Sequence, residues 1–331
     1  MECIAAATQN QRFELLYWGV KRGMKFGAHL PLIDFDGKGF SLSLLREYTQ
    51  TAAALGFHAL SINDHLVFSR PWLDGPTALA ATIPWSGEMQ LFTTVAIPVV
   101  RGPVGLAKTV AALDQLSNGR MNVGVGPGSS VKDYDAVGIS FEERWKRLDE
   151  AIPATRSLWQ RGGTPLRGRF YSTENMVLEP YPVRPSGPPI WIGSWGSEVG
   201  LRRTARLGDG WLASAYNTTP EQFHTGLTRL QEYLVHFNRS ANSFPNAIAT
   251  MFCYITEDRS EAERILNEML RKAINRPADE LRQRLLIGPA EECARKLSAY
   301  EKAGAQMVFV WPITDETRQL EHFQQSVASA I

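Results

Sequence analysis

Cysteine is scarce in this chain. Cys3, Cys253 and Cys293 are spread through 331 residues with no CxxC or Cys/His spacing, which leaves no metal-ligand set and points to a reducing compartment. The net charge is +1 and no basic run occurs, so nothing points to a nucleic-acid partner. No apolar stretch approaches the roughly 20 residues that span a bilayer. The first 23 residues lack the basic n-region and long apolar core of a signal peptide. Also missing are a Ser-His-Asp or Cys-His nucleophile pattern, HExxH and a P-loop. GxGxxG is absent too, since Gly124, Gly126 and Gly128 simply alternate. These absences leave a soluble, cytoplasmic protein whose chemistry does not come from a recognisable nucleophile or metal.

What is present is a β/α rhythm. Strand-like segments start near Met24, His58, Met89, Arg120, Pro189, Gly210, Ala247 and Gln306, and the first four recur every 31–34 residues. Leu91–Val100 is too continuously apolar for a one-sided sheet and reads as a buried parallel strand. Gly102-Pro103 opens a helix with Leu106, Val110, Leu113 and Leu116 on one face, and Asn118-Gly119 ends it as a left-handed cap. Thr219-Pro220-Glu221-Gln222 is a capping box before a further amphipathic helix.

The rhythm breaks twice. Between Gly128 and Pro188, Phe141–Trp159 forms a helix and Gly162–Gly187 a Gly/Pro-rich segment with an expected β-excursion. Ser260–Ala305 holds at least two helices. The predicted fold is α/β: a (β/α)8 TIM barrel with insertions after the fourth and seventh strands, a single domain over 24–331, and residues 1–23 as an N-terminal appendage or over-long gene start. A doubly wound sheet is the alternative.

In such a barrel the ligand sits at the carboxyl ends of the strands. There the chain places His29 with Pro31, Asn63-Asp64-His65, Thr94-Val95, Gly126-Pro127-Gly128-Ser129-Ser130, Gly193–Ser197, Ser214–Asn217, Cys253-Tyr254 and Trp311. Asp64-His65 is the sharpest pair, because a histidine beside a carboxylate can exchange a proton near neutral pH. The competing reading is an aspartate capping the next turn and a histidine satisfied by backbone. Gly193-Ser194-Trp195-Gly196-Ser197 precedes a helix, so its amides and hydroxyls suit a phosphate, although Ser197 could equally be a plain N-cap.

Asn63-Asp64-His65, Leu91–Pro98, ALDQLSNGR ending at Arg120, Gly124–Gly128, IGSWGS (Ile192–Ser197) and ARLGDGW (Ala205–Trp211) occur in this order. In that combination the chain closely resembles the luciferase-like family of flavin- and deazaflavin-dependent oxidoreductases. The resemblance implies a catalytic His65 beside the reactive face of the cofactor ring. It also implies a non-prolyl cis peptide in a bulge at Thr94-Val95, behind that ring. The cofactor-binding set it implies is His29, Asp64, Thr94, Val95, Gly126, Pro127, Gly128, Gly193, Ser194, Gly196 and Ser197, with no metal. The expected cofactor is F420, with FMN as alternative, and the partners are a small-molecule substrate, a separate cofactor reductase and a second copy in a homodimer. A reduced-FMN monooxygenase using O2 and a non-catalytic flavin-binding barrel are the rival functions. Two departures bear on substrate and cofactor. Sugar-phosphate-acting relatives carry an acidic residue where this chain has Ser129, with no basic cluster nearby. The longer insertion of FMN monooxygenases is also absent, which favours F420.

Overall fold

The computed structural model describes residues 23–331. The expected appendage, apart from Gly23, lies outside the described residues, as does Cys3. Nine parallel strands are β1 (Lys25–His29), β2 (Ala59–Ile62), β3 (Gln90–Ala96), β4 (Met121–Val125), β5 (Ile190–Gly193), β6 (Gly210–Ser214), β7 (Asn246–Ile255), β8 (Leu286–Gly288) and β9 (Met307–Pro312). Each of β1 to β6 pairs with the next, β6 pairs with β7, β7 with β9, and β9 with β1, so eight strands close a ring. The predicted barrel is the one observed, and its strands start within about two residues of the positions read from the sequence.

Two sets of side chains fill the structure. Between strands and helices lies the large apolar core. Inside the ring, Phe92, Trp191 and Phe309 form a plug with Ala59, Leu212, Ala247 and Met307. Trp191 meets Phe92 edge-on at 5.4 Å between ring centres, and Phe92 meets Phe309 at 5.0 Å. This plug fills the barrel interior.

Four details differ from the sequence reading. The run Leu91–Val100 leaves the sheet after Ala96, and Pro98–Arg101 forms one helical turn, because Pro98 has no N–H for the ladder and its φ suits a helix start. The expected β-excursion in 162–187 reduces to one antiparallel bridge, Arg167 with Ser172. β8 lies within the second insertion and pairs only with Cys253–Ile255 of β7. The short helix Val131–Ala136 follows the strand-four glycines. The Asn118-Gly119 cap and the Thr219–Gln222 capping box take the expected forms. Among the described residues no helix is long and apolar enough to cross a membrane.

β7 is the irregular strand. Its register against β9 shifts between Ile248 and Met251, and Thr250 has φ +57°, costly for a β-branched residue. The bend lets the first half pair with β6 and the second half with β8.

Buried histidines predict an acid response. Burial drives the His29 imidazole down to about 3, against a raising hydrogen bond to the Leu30 carbonyl; burial and nearby Lys25 drive His58 down to about 4. Both values lie below that of a free imidazole, so the unfolded chain takes up these protons first as pH falls. Stability should therefore decline from about pH 6.5 down to about 4. Urea denaturation at pH 7, 6, 5 and 4 checks this, with His29→Gln and His58→Gln each flattening the slope. A pH-independent stability over this range would contradict the assignment.

Candidate active site

A cavity of ≈420 Å³ opens at the carboxyl ends of the strands, where this fold places ligands. Asn63-Asp64-His65 follow β2, Thr94 and Val95 stand near the end of β3, Gly126–Ser129 follow β4, and Gly193 ends β5, with Ser194, Trp195 and Ser197 after it. Ser214 of β6 and Thr250 of β7 complete the ring, and Phe141, Arg144 and Trp145 reach in from the first insertion. Ten of the twelve site residues read from the sequence line this cavity together: Asp64, His65, Thr94, Val95, Gly126, Pro127, Gly128, Gly193, Ser194 and Ser197.

The other two do not. Gly196 stands between lining residues, with φ +89°. His29 is fully buried, stacked on Trp311 at 3.5 Å, with Nδ1 donating to the Leu30 carbonyl. Burial in the core lowers the His29 pKa and keeps that ring neutral. Cys253 is likewise core; the β7 bend presents Thr250 to the cavity instead.

The Thr94-Val95 peptide is cis, at the point where the β3–β4 register shifts. The adjoining glycines make room for it. A Cβ at Gly126 would stand 2.9 Å from Val95 Cγ2, and one at Gly193 3.0 Å from Val95 Cγ1. These glycines thus seat the Val95 side chain against the cavity wall, a packing role that their spacing alone did not reveal.

Asp64 and His65 do not pair with each other. The Asp64 carboxylate, almost fully buried, accepts from Arg101 Nε and Nη2, both at 2.7 Å, and from the Ile97 amide at 3.3 Å. Arg101 also donates to Asp74, the N-cap of helix Gly75–Thr82. Burial opposes the guanidinium charge, but the two aspartates outweigh it and raise the Arg101 pKa. His65 instead meets Asp133, with Nδ1 to Oδ2 at 2.6 Å. The other Asp133 oxygen accepts the Leu66 and Val67 amides, each at 2.8 Å. Burial pushes the Asp133 carboxyl up, but the imidazole and these amides more than offset it and hold the group below the usual range. A carboxylate only accepts, so Nδ1 carries the hydrogen of this contact and Nε2 lies outside it.

Sequence reading missed Asp133 and Arg101. Asp133 is legible only as an acidic residue in the first turn of a short helix, and Arg101 as the end of an apolar run. On the opposite wall, Ser197 is indeed an N-cap, its Oγ accepting from the Gly200 amide at 3.2 Å. The preceding loop still faces the cavity and is propped by Trp211, whose Nε1 donates to the Ser194 carbonyl at 3.0 Å while its ring stacks on Phe223. The helix N-terminus and Arg144 make this end of the cavity attractive to an anion.

The sequence pattern of the luciferase-like monooxygenase family matches residues 24–307. The chain belongs to this family. Among similar members is an F420-dependent glucose-6-phosphate dehydrogenase of Kineococcus radiotolerans, 26% identical over 320 residues, spanning 87% of this chain and 93% of that enzyme. Similar solved structures include a monooxygenase from Streptomyces bottropensis, with TM-score 0.78, 23% identity, and 92% and 99% of the two chains covered. Another is an F420-dependent secondary alcohol dehydrogenase in complex with an F420-acetone adduct, with TM-score 0.79, 17% identity, and 93% and 99% covered. At these identities the solved structures establish that this luciferase-like protein shares their fold.

The Asp64–Arg101 pair yields a stability prediction. Arg101→Met strands a buried carboxylate and should cost about 2–4 kcal/mol, less than a fully enclosed pair because Arg101 is partly exposed. Urea titration measures the loss. Adding Asp64→Asn should restore part of it; strictly additive losses would mean that the two side chains are not coupled.

Proposed function

We propose that this protein is an oxidoreductase that binds the deazaflavin F420 in the ≈420 Å³ cavity and acts on a small organic substrate. The observation that carries this reading is the convergence of His65, fixed by Asp133, with the Val95 bulge and the Gly193–Ser197 loop around one cavity. The residues fit the cofactor. Val95, Ile97, Leu212, Ala213 and Ala249 offer an apolar wall to a planar ring, while Arg144 and the helix N-terminus offer positive potential to a phosphate. When bound, F420 supplies hydride exchange at its ring C5. His65 Nε2 gives or takes the accompanying proton, Asp133 fixes the tautomer, and the Asp64–Arg101 pair holds the loop that carries both residues 64 and 65. The F420-dependent names among its relatives favour this cofactor, and the similarity to a monooxygenase keeps reduced FMN as the second reading.

Titrations with F420, FMN and reduced FMN decide the cofactor. F420 is expected to bind tightest, and preferential binding of reduced FMN would replace this reading with the monooxygenase one. Variants then separate roles. His65→Ala should lower turnover about 10²–10⁴-fold and leave F420 affinity within a few-fold. Asp133→Asn should also slow turnover, because its amide can donate to Nδ1 and so reverse the tautomer. Gly196→Val forces a branched residue to φ +89° and should lower affinity first. Equal loss of binding in all three would remove this division of labour.

A homodimer belongs to the same proposal. Most apolar residues of helices Gly75–Thr82 and Pro103–Leu116 are buried within the protomer. Lys108 and Gln115 also hold the chain's own 179–181 segment against the second helix. Val104, Leu116, Val177 and Val183 remain exposed on or beside this region. Light scattering at micromolar concentration should give twice the chain mass; the monomer mass would refute it.

A further inference from the structure

Tyr216 lines the ≈420 Å³ cavity and also an adjoining chamber of ≈480 Å³, where Trp72 and Trp311 meet edge-on. His65 is the other ionisable residue common to both linings. The two follow β6 and β2, which stand four places apart in either direction around the eight-strand ring. A ligand at the mouth of the barrel is therefore approached by His65 from one side and by Tyr216 from the other.

Everything around Tyr216 is fixed except its hydroxyl. Its carbonyl accepts from Arg284 Nη1 at 2.8 Å, and its ring lies 6.5 Å from that of Phe252. The phenol oxygen stands beside the Ser214 hydroxyl, but the hydrogen of that hydroxyl points elsewhere. Thr250 Oγ1 donates to the Ala249 carbonyl at 2.7 Å, so in its 2.9 Å contact with Ser214 it accepts. Ser214 Oγ therefore donates to Thr250, and it accepts from Asn217 Nδ2 at 3.1 Å. Asn217 in turn accepts from Arg276 Nη2 at 2.7 Å. The donors run one way, from Arg276 to the Ala249 carbonyl, and none of them ends on Tyr216.

Nor does any acceptor among the described residues take the phenol hydrogen. The oxygen is not one of the sealed, unpartnered polar atoms of the interior, so it opens onto the space that Tyr216 lines. Burial raises the Tyr216 pKa, against the opposing pull of Arg276 and Ser214, and the group is a protonated donor at neutral pH. Arg276 lies over the Trp195 ring at 5.9 Å and has no carboxylate partner among the described residues. Its charge favours an anion on this wall.

From this we infer that Tyr216 is a second ligand-contacting residue of the site, its hydroxyl donating a hydrogen bond to a ligand oxygen that carries or gains negative charge. The O–H bond of Tyr216 stays intact, and proton exchange remains with His65. The inference deepens the proposed oxidoreductase by naming the group that orients the reacting oxygen. It rests on that reading for the catalysis, though not for the binding itself.

Calorimetry on the full chain at neutral pH compares cyclohexanecarboxylate with its neutral isostere cyclohexanecarboxamide, alone and after saturation with F420. Tyr216→Phe keeps the ring and removes only the hydroxyl. It should weaken the carboxylate about tenfold or more and the carboxamide only about threefold, because hydrogen bonds to charged groups are the stronger kind. The melting temperature should stay within about 2 °C, since the hydroxyl has no partner in the protein to lose. The inference is overturned if the carboxylate does not bind, if Tyr216→Phe weakens both probes alike or neither, or if the variant melts markedly lower or does not fold, which would make the hydroxyl a structural contact. Should F420 fail to bind while Tyr216→Phe still separates the two probes, the cofactor reading falls and the assignment of Tyr216 stands.

Discussion

The hydrogen-bonded ladder that joins β6 to β7, and through β9 returns to β1, closes the sheet into a ring. In a closed parallel sheet every strand ends at the same rim, so residues tens or hundreds of positions apart in the chain meet there. The Phe92–Trp191–Phe309 plug then fills the interior. The candidate cavity lies at that rim, lined by strand ends and by what the loops and insertions add to them. Asn63–His65, Gly126–Ser129 and Gly193–Ser197 come together for this reason alone.

Within that rim, two buried carboxylates do different work. Asp64 is neutralised by Arg101, and the pair ties the loop after β2 to the turn after β3 and to the cap of the next helix. Asp133 ties the same loop to the first insertion and, in doing so, holds the His65 ring by Nδ1, with Nε2 outside the contact. A buried ion pair is weak evidence of stability because desolvation offsets its attraction. Its value here is positional, since each carboxylate has a fixed set of donors and so a single orientation. The histidine inherits that orientation and sits between two adjoining spaces, one with a helix N-terminus and Arg144, the other walled by aromatic rings.

The sequence was most informative where the local pattern and the tertiary demand coincide. Buried parallel strands need continuous β-branched, apolar runs, helix ends need caps, and left-handed positions need Asn or Gly; each leaves a local mark, so the strand starts and the Asn118-Gly119 and Thr219–Gln222 caps were legible. The family resemblance placed the Thr94-Val95 bulge and most of the cavity lining. The strand predicted to run to Val100 ended at Ala96, because periodicity does not register the hydrogen-bond donor that Pro98 lacks. The Gly/Pro-rich 162–187 segment gave no reliable pattern either, since its conformation follows its packing against the helices of the barrel.

What the sequence by itself determined was the order and type of the elements, and with them the set of strand ends that could carry chemistry. Only the tertiary structure decided which of those residues work together. Adjacent residues in extended chain point in opposite directions, so Asp64 and His65, neighbours in sequence, could not be assumed to be partners. One found Arg101 and the other Asp133, 68 residues away. His29, placed by its strand end among the site residues, went instead into the core against Trp311, and Gly126 and Gly193 proved to be spaces shaped for Val95. Such contacts depend on distances across the barrel rim, which no local spacing encodes.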